Sequence, residues 1–240
     1  EWPCVDVIQG DPLLENCDIS SDSLACISIH GNASKPTIKR NRIFNGRRQG
    51  VLVSDYAGGI IEDNKIFGNQ EAGIDVHSMA NPKVKNNCVY DGNKFGIFVH
   101  DDGMGMFEDN EVYLNDQVGL KISTRGRPGE NFAPAFQLHR FAPSRAFLTP
   151  SPPFPCTSLC FPLLFPLRVT RSPSTEMLNN RFHDEKECGI LIEDNGMGHF
   201  EKNEIFAMVE TGIEIRTGAN PHLMENHIYN CNGRGVHIRD

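Results

Sequence analysis

NKIFGNQEAGIDV (64–76) and NCVYDGNKFGIFV (87–99) repeat one pattern 23 residues apart. Each copy opens on an Asn, places an apolar residue two positions later, and has a Gly nine positions after the Asn. Further copies begin at Asn41, Asn110, Asn180, Asn203 and Asn226, and the matching glycines are Gly50, Gly73, Gly96, Gly119, Gly189, Gly212 and Gly235. Successive starts are 23 residues apart, except that Asn110 and Asn180 are separated by 70, one period plus 47. A weaker copy begins at Asn16, 25 residues before Asn41.

Within each copy an x-I-x-[FY] segment, a polar turn, a G-[IVL]-x-[VI]-x segment and a last apolar pair such as Ile60-Ile61 follow one another. These are short period-2 strands separated by turn residues, and no apolar stripe of period 3.6 is long enough for a helix. Three short strands per 23 residues make one coil of a solenoid. The expected fold is therefore all-β, a right-handed single-stranded parallel β-helix, in which each repeat position becomes a ladder with steps of about 4.8 Å. Apolar ladders fill its interior. The Asn at each start is expected to form an amide ladder within or beside a turn, and the Gly column to mark backbone with no room for a Cβ. Residues 1–124 carry the first coils and 176–240 the last. Both ends fall inside a coil, so the chain reads as a segment of a longer protein.

Residues 125–175 interrupt the pattern with a Pro/Phe-rich insertion. Ten of the 15 prolines and seven of the 15 phenylalanines lie here, against one acidic residue, Glu130. Runs such as Thr149-Pro150-Ser151-Pro152-Pro153 exclude helix and central strand. The segment reads as disordered sequence or a translated intron, or as an extruded loop with Pro-rich partner motifs.

Composition narrows the function. The formal charge of −8 gives no electrostatic basis for binding nucleic acid, and no apolar run of about 18 residues offers a membrane span. Eight cysteines without a C-x-x-C pair read as free thiols of a reducing compartment. No P-loop, dinucleotide fingerprint or nucleophile elbow is present.

In G-I-x-V-x the two x positions point outward, so successive coils build two neighbouring outer columns. One reads Ser28, Leu52, Asp75, Phe98, Lys121, Leu191, Glu214, His237; the other reads His30, Ser54, His77, His100, Ser123, Glu193, Arg216, Arg239. Asp75, His77, Phe98, His100, Lys121, Glu214 and Arg216 are the candidate partner-binding residues, with Phe98 as an aromatic anchor. An enzymatic alternative uses Asp75, His100, Asp101 and Asp102, because carboxylates one or two coils apart would match glycosidase separations. His77, His100 and Asp101 suggest a metal site only weakly, since column spacing alone does not make ligands converge. No metal and no cofactor is expected.

The wording N-x-I-[FY]-x-N-x-x-A-G-I-x-[VI], then N-P-x-[VL], then D-x-G-x-G-x-[FI]-E-x-N, resembles the β-helix repeats of F-box only proteins. It is carried by Asn64 to Val76, Asn81-Pro82-Lys83-Val84, Asp102 to Asn110 and the copies after Asn180. The resemblance implies a substrate receptor of a Skp1–cullin–F-box ubiquitin ligase, cytoplasmic and also nuclear, whose β-helix holds a protein target. Skp1 and cullin would bind through an F-box outside these residues, and transfer chemistry would belong to partner enzymes. The alternative is a β-helix that binds or cleaves polysaccharide through outward carboxylates.

Overall fold

The computed structural model describes residues 2–123 and 175–239. Every named element is a β-strand of two to four residues, and all pairings between them are parallel. Three sheets run the length of a β-helix, with nine, eight and eight strands. One full coil contributes Ile74–Val76 to the first sheet, Lys83–Lys85 to the second and Cys88–Tyr90 to the third. The first sheet pairs Asp75 with Leu52 on one side and Phe98 on the other, in keeping with the 23-residue period.

The interior is a set of apolar ladders. Ile27, Val51, Ile74, Ile97, Leu120, Ile190 and Ile213 line up inside the first sheet; Ile38, Ile61, Val84, Phe107, Met177 and Phe200 do so inside the second. Each is buried, and each such side chain removed from water contributes about 1.5–3 kcal/mol.

The Asn column is an interior amide ladder. In each coil the Asn Oδ1 accepts from the backbone N–H and the Nδ2 of the Asn before it, at 2.9–3.1 Å, from Asn41 through Asn64, Asn87, Asn110, Asn180 and Asn203 to Asn226. Its Nδ2 also donates to a second-sheet carbonyl, as Asn87 does to Ile61 at 2.9 Å. The residue before each Asn takes left-handed backbone, φ +53° to +57° at Arg40, Asp63, Asn86, Asp109, Asn179, Lys202 and Glu225. That single residue turns the chain from the second sheet into the third, and the buried Asn binds the groups the turn leaves unpaired.

Asn16 does not start a coil in this sense. It occupies the left-handed position itself, φ +55°, and Cys17 stands in the ladder, its N–H donating to Asn41 Oδ1 at 2.9 Å. The register of Asp18 on Arg42 makes the offset 24 residues.

The Gly column meets its expectation. A Cβ on Gly96 would lie 2.4 Å from Val112 Cγ1 and 2.6 Å from the Gly119 carbonyl oxygen, closer than any side chain can approach. The coils on either side of the interruption stack directly: Ser123 pairs with Glu193, Val112 with Phe182 and Gly105 with Thr175. Thr175 opens a second-sheet strand. The readings of the Pro/Phe-rich segment otherwise fall outside the described residues. Among the described residues no helix is long and apolar enough to cross a membrane.

Candidate ligand-binding face

The outer face of the first sheet carries both columns in the expected register, from Ser28 on Leu52 to Glu214 on His237 and Arg216 on Arg239. What the columns do with one another is less regular. Asp75 points outward yet is only 5% exposed, because its neighbours close over it: Gln49 Nε2 donates to Oδ2 at 3.2 Å and His100 Nε2 faces Oδ1 at 3.1 Å. Alternation correctly assigns its side of the sheet, but cross-coil contacts cover it.

His100 bridges two carboxylates, with Nδ1 2.9 Å from Asp101 Oδ2. Burial alone would lower its pKa; the hydrogen bond and charge of Asp75, joined by those of Asp101, outweigh burial and raise it above the usual histidine value. His77 stacks on His100 with ring centroids 4.9 Å apart, and its Nδ1 lies 2.9 Å from Ser78 Oγ. Phe98 also stacks on His100, at 4.2 Å, and tilts against Phe95 at 5.0 Å. The aromatic anchor is half-buried, in contact with both rings.

Lys121 lies over both rings, 5.2 Å from the Phe95 centroid and 5.6 Å from that of Phe98, and its Nζ reaches Glu193 Oε1 at 2.7 Å. From there a charge ladder continues: Glu193 Oε2 accepts from Arg216 at 2.7 and 2.8 Å, and Glu214 pairs with Arg239 at 2.6 Å. Despite partial burial, Lys121 and Arg216 hold the Glu193 carboxyl below its ordinary range. All seven expected partner-binding residues therefore lie on one face. Two groups form, an Asp-His-aromatic cluster and a charge ladder, with Lys121 between them.

Asp102 does not join the cluster. It is exposed in the turn after Ile97–His100, with φ +63°, and no hydrogen bond or ion pair joins it to Asp75 or His100 among the described residues. The pair of left-handed residues at Asp101 and Asp102 turns the chain away from the sheet and leaves only Asp101 within reach.

Two features escaped the sequence reading. The [FY] positions of the third sheet stack as one column: Phe44, Phe67, Tyr90, Tyr113, His183, Phe206 and Tyr229, with centroids 4.9–5.2 Å apart and planes within 11°. Ring faces are turned to one another, which leaves only edges for a ligand, so the column holds coils together rather than offering a stacking platform. The recurring [FY] was the available signal. The second feature is Glu185, fully buried five residues after a ladder Asn, where Asn69 and Asn115 stand in earlier coils. Its Oε2 accepts from the Asn115 N–H at 2.7 Å and its Oε1 from Asn115 Nδ2 at 3.1 Å. Burial pushes its pKa up to about 8 against those two bonds, with Asp184 adding to the rise.

Parallel coils with buried amide and apolar ladders, bearing a side-chain network on one outer sheet, define a β-solenoid. The chain belongs to the right-handed β-helix family, whose description is "right handed beta helix region" and whose pattern matches residues 2–132 and 164–240. Among solved structures it is similar to the A-module of Azotobacter vinelandii mannuronan C-5 epimerase AlgE4, with TM-score 0.56, 13% identity, and 96% of this chain covering 57% of that one. It is also similar to the periplasmic alginate epimerase AlgG, with TM-score 0.51, 12% identity, and 96% of this chain covering 51% of that one. At such identities the likeness is one of fold, and the chain spans about half the length of each.

Proposed function

We propose that the outer face of the first sheet holds a protein target, and that the chain is the target-binding β-helix of an F-box-type substrate receptor in a Skp1–cullin–F-box ubiquitin ligase. One observation carries the recognition role: the polar groups of this face pair with one another across coils, as His100 does with Asp75 and as Glu193 does with Lys121 and Arg216. Such a pre-ordered network beside half-buried aromatics suits binding, since little side-chain entropy remains to be lost on contact. The ubiquitin-ligase part rests on the repeat wording at Asn64 to Val76 and Asp102 to Asn110. The β-helix then contributes orientation and effective concentration, and partner enzymes supply the transfer.

The test is reconstitution of the full protein that contains this β-helix with Skp1 and cullin. Phe98→Ala and His100→Ala should abolish ubiquitin transfer to the target and leave Skp1 binding intact. A full protein that does not bind Skp1 removes the ligase reading.

A second reading, a β-helix acting on polysaccharide, is favoured by the Asp75–His100–Asp101 line, which places a carboxylate on each side of an imidazole. The β-helices of similar fold include epimerases of mannuronan and alginate. It predicts binding or turnover of an acidic glycan that is lost in Asp75→Asn.

A further inference from the structure

Asp75, His77 and His100 each offer a ligand atom, and these atoms lie within 4.8 Å of one another. Two details separate this group from a chance cluster on a polar face. The first is the outer hydrogen bonds: His77 Nδ1 is engaged by Ser78 Oγ and His100 Nδ1 by Asp101 Oδ2, both at 2.9 Å. In each ring the Nδ1 side is thus fixed by a neighbour, which leaves Nε2 as the ligating atom. Histidines that ligate metals donate the far N–H to a carboxylate, a backbone carbonyl or water, the place that Asp101 takes at His100 and the Ser78 hydroxyl at His77.

The second is donor accounting at His100. Its two nitrogens face two carboxylates, and a neutral imidazole has one N–H to give. With that N–H on Asp101, the contact of Nε2 with Asp75 Oδ1 at 3.1 Å needs a second proton, and a metal ion bound to both atoms can take that proton's place. Asp75 is buried and also held by Gln49, so the anionic ligand is positioned before any ion arrives.

We propose that Asp75, His77 and His100 form a binding site for a divalent transition-metal ion, with Zn2+ as its natural probe and solvent completing the coordination. Two imidazoles and one carboxylate are a donor set of the required softness. Tetrahedral coordination needs ligand atoms about 3.3 Å apart at metal–ligand distances of about 2.0–2.1 Å. The three ligand atoms, which lie within 4.8 Å of one another, reach that geometry by drawing together by at most about 1.5 Å. The site is independent of whether a protein or a glycan occupies the face, because it uses only groups of this chain.

Calorimetric titration of the purified chain with Zn2+ tests the site, alongside visible absorption on adding Co2+. Expected are one ion per chain, a tetrahedral Co2+ spectrum without a thiolate band, binding at least tenfold weaker in His77→Asn and in His100→Asn, and about tenfold weaker in Asp101→Asn. Thermal unfolding of each variant without metal establishes that it is folded, and the partly exposed His77 supports the test even if Asp75→Asn is unstable. His199 and His222 form another histidine pair, with their Nδ1 atoms 2.8 Å apart. Zn2+ binding that falls in His199→Asn and persists in His77→Asn would place the ion there and overturn the proposal. Absence of binding, or its loss on alkylating the accessible thiols, would do the same.

Discussion

Asn87 shows how much one side chain does in this fold. It accepts from Asn64, donates to the carbonyls of Ile61 and Lys85, and donates to Asn110, with no contact longer than 3.0 Å. Asn87→Ala would leave several buried groups unpaired at once, so a loss of about 3–5 kcal/mol in urea unfolding is expected. A loss under about 1 kcal/mol would mean that water replaces the amide. At the head of the ladder the reverse substitution is favourable: Cys17→Asn should raise stability by about 1 kcal/mol by adding a side-chain donor to the backbone N–H that already reaches Asn41 Oδ1. Glu185 makes a pH-dependent prediction. Its folded pKa is raised from about 4.5 to about 8, so between those values the folded chain holds a proton that the unfolded chain has released. Stability is therefore highest below this window and falls as pH rises through it, by an amount on the order of a few kcal/mol. Glu185→Gln should flatten that part of the curve, and an unchanged slope would contradict the assignment. The sequence announced the ladder Asn through recurrence alone. It could not announce Glu185, since a single Glu in a column of Gly, Asn, Met and Cys has no periodic signature.

At the scale of strands and columns, the close approach of neighbouring coils is the main constraint. Gly96→Ala places a methyl group against the Val112 side chain, the Asn115 amide and the Gly119 carbonyl, and that carbonyl belongs to the backbone of the next coil. Unfolding should become easier by more than about 3 kcal/mol, with proteolysis beginning in the adjacent coils. The aromatic column behaves differently. Tyr113→Phe keeps both stacks, to Tyr90 and His183, and should be nearly neutral; Tyr113→Ala breaks two of them and should cost about 1–3 kcal/mol. If the two variants unfold alike, the column is not a source of cohesion. Period-2 alternation placed each side chain on the correct side of its strand. It could not tell that Asp75 would be covered or that Leu191, in the same outward column, would be only 6% exposed, because both depend on side chains one coil away.

For the whole molecule, the stacking of Ser123 on Glu193 and of Gly105 on Thr175 means that the solenoid does not require the sequence between Ser123 and Thr175. His100 and Gly105 are joined through four residues in the preceding coil. Removing 47 residues between Ser123 and Thr175 leaves a connection of the same length. That deletion should keep the β-rich circular dichroism and a cooperative transition, with stability equal or higher by about 2 kcal/mol because a shorter connection costs less chain entropy to close. Loss of cooperativity would show that the flanking coils depend on the segment. By itself the sequence determined the period, the parallel β-helix, the amide and glycine ladders and the two outer columns, because each is a one-dimensional repeat that stacking converts directly into a ladder. Only the tertiary structure decided which outward groups meet: that His100 lies between Asp75 and Asp101, that Asp102 turns away, and that Lys121 joins the aromatic cluster to the charge ladder. Those contacts depend on ring orientations, side-chain reach and turn angles between non-identical residues on neighbouring coils, and a repeat pattern carries no information about them.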